Sequence, residues 1–437
     1  MDFHGSSTVI LTAFICILIS YVLWKTMYRK RGLPPGPTPL PLIGNLLQVR
    51  KGDMAKTLME FGQEYGPVYT FYFGPNPVVV FWGYDAVKEA LVDHGEDFIG
   101  RGKQPTVDRV FQGYGLITSE GDRWRQLRRF SLSTLRNFGL GKRSIEERIQ
   151  EECQFLIEEL KTYKEKPFDP AIIISKAVSN VISSVVFGQR FEYDDTRFHR
   201  MLDIFYETFE LMSSTWGQEK DNPNSEFTWR NLVLSLNNLF FAGGETVATT
   251  LKHGFLLLLK YPDIQAKVCK EIDSVIGQNR VPNIEDRNKM PYTEAVIHEI
   301  QRFSNVIPMN APHSATKDTV FRGYTIPKGT DVCALLTSVL GDPTHFATPH
   351  KFNPSHFLDK DGCFKRNEAF MPFSIGKRAC IGEGLARTEL FLFLTNILQN
   401  FILTSQTEFT EADIAPRNTG FANVPISYQM SFVSHKL

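Results

Sequence analysis

Phe373-Ser374-Ile375-Gly376-Lys377-Arg378-Ala379-Cys380-Ile381-Gly382 is the stretch on which the reading of this 437-residue chain turns. A solitary cysteine in an intracellular enzyme is ordinarily a small buried apolar side chain. Here glycines stand on both sides of the thiol, which allows tight turns and close approach of a flat ligand to the backbone. The run Gly384–Leu403 that follows is apolar on most faces, which predicts a buried helix. The N-terminal amides of such a helix favour a thiolate, and Arg378 adds a cation two residues from the sulfur. No second Cys or His stands at zinc spacing and no C-x-x-C occurs, which disfavours zinc, iron–sulfur and c-type haem. The pattern is a thiolate on a rigid loop, suited to one axial metal bond.

Outward from that loop, the composition narrows the class of protein. Forty-eight basic residues balance 48 acidic ones, and 42% of residues are hydrophobic. This argues against a disordered chain and against a nucleic-acid binder that relies on bulk positive charge. A charged fraction of 22% is too high for a multi-span membrane protein. The 35 phenylalanines need a large core or an apolar pocket. Val68–Phe73 and Val78–Trp82 flank Gly74-Pro75-Asn76-Pro77 and predict a hairpin, after which Asp85 caps a short helix ending near Gly95. Helices are predicted over Ile145–Tyr163, Pro170–Phe187, Thr196–Met212, Phe227–Lys260, Ile264–Ile276 and Thr293–Phe303. Strand-like pieces at Thr319–Ile326 and Asp331–Leu336 precede an irregular stretch from Gly341 to Arg378. The expected fold is mainly α with small β-sheets.

Thr8–Trp24 carries no charge over 17 residues, the short end of a bilayer-spanning helix. A cleaved signal peptide is the other reading. Against it stand the missing positive charge before the run, the absent A-x-A site, and the basic cluster Lys25, Arg29, Lys30 and Arg31 after it. Basic flanks stay cytoplasmic, so residues 1–24 read as an uncleaved anchor with a cytosolic body behind it. Five prolines in Leu33–Pro41 make residues 25–41 a basic, proline-rich hinge, stiff and extended. Residues 42–437 then read as a single domain, since no linker splits them.

The decapeptide matches F-x-x-G-x-R-x-C-x-G, and with it the chain resembles a cytochrome P-450. It is closest to the vertebrate microsomal, drug- and fatty-acid-oxidising second family. The resemblance implies a haem-thiolate monooxygenase fold in which Cys380 ligates the iron and pushes electron density that favours O–O cleavage. Glu299-Ile300-Gln301-Arg302 is similar to the family's E-x-x-R, and Phe352–Phe357 to its F-x-P-x-x-F. Glu299, Arg302 and His356 are thereby expected to form a buried structural network behind the irregular loop. Trp124 and Arg128 match W-x-x-x-R and share one helix face. With Arg101, His313 and Arg378 they are implied as ligands of the haem propionates. Arg123, Arg125 and Arg129 on the same helix are either a solvated basic face or a docking patch for an acidic flavoprotein reductase and cytochrome b5.

The longest predicted helix, about 50 Å long, carries Ala242-Gly243-Gly244-Glu245-Thr246, which resembles A-G-x-[D/E]-T. Paired glycines cost about 1 kcal/mol each in a helix. A kink or close helix packing would account for them. The resemblance implies a local widening for dioxygen and water, with Thr246 and Glu245 relaying protons. Gly244 stands where the family more often has Ser or Thr, so a looser helix is expected.

Between Gln218 and Glu219 the chain departs from the family, whose members hold roughly fifty to sixty more residues there, a difference matching the short total length. The absent piece corresponds to distal roof helices, as a skipped exon or alternative transcript would produce. Leu232, Leu236, Leu239 and Phe240 are then expected to be exposed. The implied function is insertion of one oxygen atom from O2 into apolar substrates such as fatty acids, arachidonic acid among them, steroids or xenobiotics. Electrons would come from NADPH through a flavoprotein reductase at the endoplasmic reticulum membrane, with no nucleic-acid partner. Candidate pocket residues fall in 107–116, 238–246, 306–311 and 420–424. The competing function is a catalytically silent, membrane-anchored haem protein acting through partner competition. A haem-thiolate isomerase fits less well, because the oxygen-handling residues are kept.

Overall fold

The computed structural model describes residues 11–21, 23, 32–50, 53–137, 143–196, 229–418 and 421–435. The predicted helix Thr196–Met212 and the Gln218/Glu219 junction lie outside these, apart from Thr196. The chain gathers into two compact units. One contains the amino-terminal residues to Gly102 with Met309–Ser338, and the other Lys103–Pro308 with Val339–Leu437.

The first unit is built on a five-stranded sheet. Helix α1 (Met54–Tyr65) precedes β1 (Val68–Phe73) and β2 (Asn76–Phe81), and β3 (Gly100–Arg101), β4 (His313–Ser314) and β7 (Asp331–Ala334) complete the order β1-β2-β7-β4-β3. Between β4 and β7, β5 (Thr319–Phe321) and β6 (Tyr324–Ile326) form a separate hairpin. The predicted β1–β2 hairpin is present with a tighter turn, since Asn76 already pairs with Phe73. Pro77 is tolerated inside β2 because pairing to β7 begins only at Val78, so no ladder donor is lost there. Leu58, Tyr69, Phe71, Val80 and Leu335 make the small core of this unit.

Two expectations are corrected here. The short helix after β2, Tyr84–Lys88, is capped by Gly83, whose amide donates to Ser338 Oγ at 2.7 Å; Asp85 lies within its first turn. The proline-rich run is extended but docked on the sheet. The carbonyls of Pro34 and Pro35 accept from Thr70 Oγ1 and N, each at 2.8 Å, and Pro37 accepts from Asn45 Nδ2 at 3.1 Å. A Cβ at Gly36 would stand 2.0 Å from Thr70 O, so only glycine fits this approach.

Residues 11–21 are helical with exposed apolar side chains, among them Leu11, Phe14 and Ile17. Among the described residues no helix is long and apolar enough to cross a membrane.

The second unit is mainly helical. Its principal helices are α2 (Gly121–Asn137), α3 (Arg143–Thr162), α4 (Ala171–Phe187), α5 (Trp229–Lys260), α6 (Pro262–Val275), α7 (Pro291–Ser304) and α8 (Glu383–Asn400). One core joins α3 to α8, with Ile149, Val178, Leu251, Phe255, Phe391, Phe393 and Ile397 all buried. The predicted C-terminal helix ends earlier than Leu403. Phe401–Thr404 alternates buried and exposed side chains as β8 and pairs with β11 (Ser431–Ser434). That two-residue period cannot continue a helical face. A smaller pair joins β9 (Arg417–Asn418) to β10 (Asn423–Val424).

Candidate functional site

The cysteine loop is positioned from both ends. Gly376 turns at φ 75°, a left-handed conformation that favours glycine, and the short 3₁₀ turn Gly376–Arg378 follows. The amide of Cys380 then donates to Phe373 O at 3.0 Å, which closes the loop. Gly382 is the residue before α8 and has φ −92°, open to any residue. A Cβ there would stand 3.8 Å from Cys380 Sγ, an ordinary contact, so the surrounding protein atoms do not themselves demand glycine.

The cysteine side chain faces outward and is exposed, while protein atoms crowd it from behind. Burial on that side pushes the thiol up, and the Glu383 carboxylate adds to this. The backbone amides of Gly382 and Glu383 and the Arg128 guanidinium pull it down, with a net rise. The sequence assigned the helping cation to Arg378, but the one acting on the sulfur is Arg128. Its Nη2 donates to Ala379 O at 2.7 Å, next to the thiol.

Trp124, Arg128, Arg378 and Cys380 are brought together in the helical unit. Trp124 is buried on α2, and the Arg378 guanidinium lies over its ring at 3.9 Å, with that of Arg128 at 5.6 Å. Arg378 Nη2 also donates to Ser119 O at 2.9 Å. Two permanent cations thus converge beside an exposed sulfur, an arrangement able to hold a ligand that takes one thiolate bond and carries anionic groups. Of the other arginines on α2, Arg125 and Arg129 are exposed. Arg123 is turned inward against the Tyr114 ring at 4.4 Å and donates to Gly113 O. Arg101 and His313 belong to the sheet unit, where they are register partners across β3 and β4. His313 is buried with Nδ1 2.8 Å from Phe98 O.

Behind the loop, Glu299 and Arg302 form the expected network. Arg302 Nε and Nη2 donate to the two carboxylate oxygens at 2.7 Å each. Its remaining N–H groups reach the carbonyls of Leu340, Pro349 and Lys351 at 2.8–3.0 Å. His356 Nδ1 stands 3.1 Å from Glu299, and the amide of Asn353 donates to the same carboxylate at 2.8 Å. Five residues between Leu340 and His356 are thereby tied to one buried ion pair.

Helix α5 runs unbroken through its glycines. A Cβ at Gly243 would meet Ile182 Cδ1 at 2.6 Å, and one at Gly244 would meet Ser179 Oγ at 2.8 Å. The glycines therefore seat α4 against α5, and Gly244 is buried rather than loose. Close packing, not widening, is the structural reason for the pair. Gly243→Ala is expected to destabilise by about 1–2 kcal/mol through overpacking. In an Ile182→Ala background it should instead stabilise by up to about 1 kcal/mol through helix propensity. Denaturant titration of the double-mutant cycle checks both signs.

Thr246 Oγ1 donates to Ala242 O at 2.7 Å, so its proton is engaged along the helix while its lone pairs remain available as acceptors. Glu245 is half-buried on the same turn. Of the apolar residues expected to be uncovered, Leu232 is exposed, Leu236 and Leu239 are half-buried, and Phe240 is buried beside Phe187. Asn238, read as a pocket residue, clamps the helix Gly115–Thr118 by accepting from Ile117 N at 2.9 Å, as Asn231 does from Gly115 N. Asn423 Nδ2 likewise donates to Asn305 O at 2.9 Å. Gly420 lies outside the described residues.

A further cluster escaped the sequence reading. His298, Arg387, Glu383, Glu294, Arg287 and Phe370 line a cavity of about 840 Å³. Its members are scattered over 100 residues of sequence, and only the i,i+4 pairs Glu294/His298 on α7 and Glu383/Arg387 on α8 offered a signal.

Comparison with known proteins agrees with this geometry. The family model described as cytochrome P450 matches residues 34–219 and 216–432. Cytochrome P450 2G1 of Rattus norvegicus is 47% identical over 493 residues, covering 99% of this chain and 100% of that one. Cytochrome P450 2A5 of Mus musculus is 50% identical over 489 residues, covering 98% and 99%. Cytochrome P450 2C8 of Homo sapiens is 47% identical over 484 residues, covering 97% and 99%. The class is that of haem-thiolate monooxygenases, oxidoreductases that combine O2 with apolar substrates and draw on a redox partner. The chain belongs to the cytochrome P450 family, whose members bind haem through a cysteine thiolate and take electrons from NADPH through a reductase.

The same comparisons bear on the length. The two matched stretches meet at residues 216–219. The alignment with the rat protein spans 493 positions against 437 residues, so at least 56 positions (493 less 437) face no residue of this chain. The shortening read at Gln218/Glu219 falls where the family match breaks.

Proposed function

We propose that this chain is a haem-thiolate monooxygenase whose turnover is impaired by its missing segment. The exposed Cys380 sulfur beside Trp124, Arg128 and Arg378 carries the assignment. Cys380 would ligate the iron, and Trp124, Arg128 and Arg378 would hold the propionates. The haem supplies dioxygen binding and reduction when bound. The residues fit it, since the sulfur is open on one side and two guanidinium groups converge next to it. The Gly382 and Glu383 amides favour the thiolate once the iron is bound, and Thr246 and Glu245 move protons. The substrates are apolar molecules such as fatty acids, steroids and xenobiotics, oxidised by hydroxylation or epoxidation.

Electrons come through an NADPH-dependent flavoprotein reductase, with cytochrome b5 as a second partner at the exposed Arg125 and Arg129. The site of action is the endoplasmic reticulum membrane, with residues 1–24 as anchor, 25–41 as hinge and 42–437 as the catalytic body. Exposed Leu40, Leu42, Ile43, Leu46 and Leu47 support a lipid-facing surface beside the hinge. The exposed Leu232 on α5 supports an uncovered distal face, where water entry would divert electrons from substrate oxidation.

The reduced carbon monoxide spectrum and an NADPH-driven turnover assay test both halves. We expect a thiolate Soret band with turnover below that of full-length relatives. No such band would overturn the haem-thiolate assignment. Turnover equal to the relatives would overturn the impairment, and a band with no turnover at all would favour a silent haem protein that competes for redox partners.

A further inference from the structure

The cavity at the foot of α8 contains a chain of contacts that leads to the cysteine. His298, buried on α7, has Nδ1 2.8 Å from Glu294 O and Nε2 2.8 Å from Arg387 Nη1. A guanidinium can only donate, so Nε2 is the acceptor and Nδ1–H donates to the carbonyl. This tautomer requires a neutral ring. Burial pulls the imidazole down to about 4, the neighbouring Glu294 opposing and Arg387 reinforcing the effect.

Arg387 in turn donates through Nε to Glu383 Oε1 at 2.9 Å and lies over the rings of Phe370 and Phe373, at 5.5 and 5.2 Å. Those two attachments flank the thiol. The backbone amide of Glu383 is hydrogen-bonded to Cys380, and Phe373 O accepts from the Cys380 amide at 3.0 Å. Arg387 therefore staples the start of the loop to the first turn of the helix. Its Nη1 donates to His298 Nε2, which fixes the guanidinium in a third direction.

We propose that His298 is a positioning residue for the thiolate, acting through Arg387 on the two segments that hold Cys380. The proposal rests on Cys380 being the haem ligand, as argued above. The imidazole sits among Phe357, Phe364 and Phe370 at 4.6–5.3 Å, so phenylalanine can replace it in shape while offering no acceptor.

The test compares His298→Phe, His298→Gln and Arg387→Met by hydrogen exchange of the Gly382 and Glu383 amides in the chain as purified. The decay of the thiolate Soret band of the reduced carbon monoxide complex is followed in parallel. His298→Phe should exchange and decay about tenfold faster, the scale of one lost hydrogen bond to a charged group. His298→Gln, which keeps a donor and an acceptor, should recover most of that loss. Combining His298→Phe with Arg387→Met should add nothing beyond the worse single variant. Unchanged exchange in His298→Phe, or a glutamine variant no better than the phenylalanine one, overturns the proposal. Should His298→Phe fail to fold, normal exchange in Arg387→Met overturns it alone. Exchange is read with or without haem, so a failure of the ligand assignment shows separately, as a thiolate band that survives Cys380→Ser.

Discussion

Cys380→Ser removes the thiolate Soret band of the reduced carbon monoxide complex and abolishes turnover, while leaving the fold of the apoprotein unchanged. The two halves of this expectation have different physical origins. A thiol in this position sits above its ordinary pKa because burial outweighs the amides of Gly382 and Glu383. It becomes a thiolate only when a metal bond draws the proton off. A serine hydroxyl is far less acidic and a harder donor, so the same loop presents an oxygen that neither ionises nor matches the ligand softness sulfur provides. Stability, by contrast, is nearly indifferent. The Cys380 side chain is exposed, and the contacts that shape the loop are backbone ones, from Cys380 N to Phe373 O and from Arg128 to Ala379 O. A surface replacement of this kind falls within about 0.5 kcal/mol. The measurement is the spectrum beside a denaturant melt of the apoprotein. Loss of the band together with a large loss of stability would mean that the sulfur has a packing role, contrary to its exposure.

What could be read from the sequence depended on how local the cause was. Helices α3 to α8 lay within a few residues of their predicted bounds, because their apolar spacing and their Pro or Gly boundaries are written in consecutive residues. The E-x-x-R pair was legible for the same reason, being one helical turn apart on α7. The paired glycines were not, since what they accommodate is Ile182 and Ser179 on another helix, and no pattern within Ala242–Thr246 reports a partner. The docked prolines failed similarly. Extension is a property of the run itself, whereas its hydrogen bonds to Thr70 and Asn45 depend on a sheet that folds elsewhere in the chain. His298 was overlooked because it precedes Glu299 and reads as one more core position. Its acceptor role appears only when α8 brings Arg387 to 2.8 Å.

Glu299→Gln should cost about 3–5 kcal/mol, because it leaves the Arg302 guanidinium buried without its counter-charge. Glu299 is fully buried and Arg302 is 3% exposed, so water cannot replace the carboxylate. Glutamine keeps the size and one acceptor oxygen, but its amide group now points a donor where Arg302, His356 or Asn353 also donates. The loss is local in its effect. Arg302 holds the carbonyls of Leu340, Pro349 and Lys351, and Glu299 holds Asn353 N and His356, so the stretch from Leu340 to Phe357 should open before the helical core does. Hydrogen exchange should therefore quicken across that stretch while α4 and α5 stay protected. The double variant Glu299→Gln with Arg302→Met separates charge from architecture. Removing both charges relieves the uncompensated cation, so global stability in denaturant should partly recover. The guanidinium bonds to the three carbonyls are still gone, so fast exchange over Leu340–Phe357 should persist. If stability and loop protection recover together, the pair is a stabilising contact only. If stability recovers and the loop stays open, the buried pair exists to order the irregular chain that leads to Cys380, at a net cost the fold tolerates for that purpose.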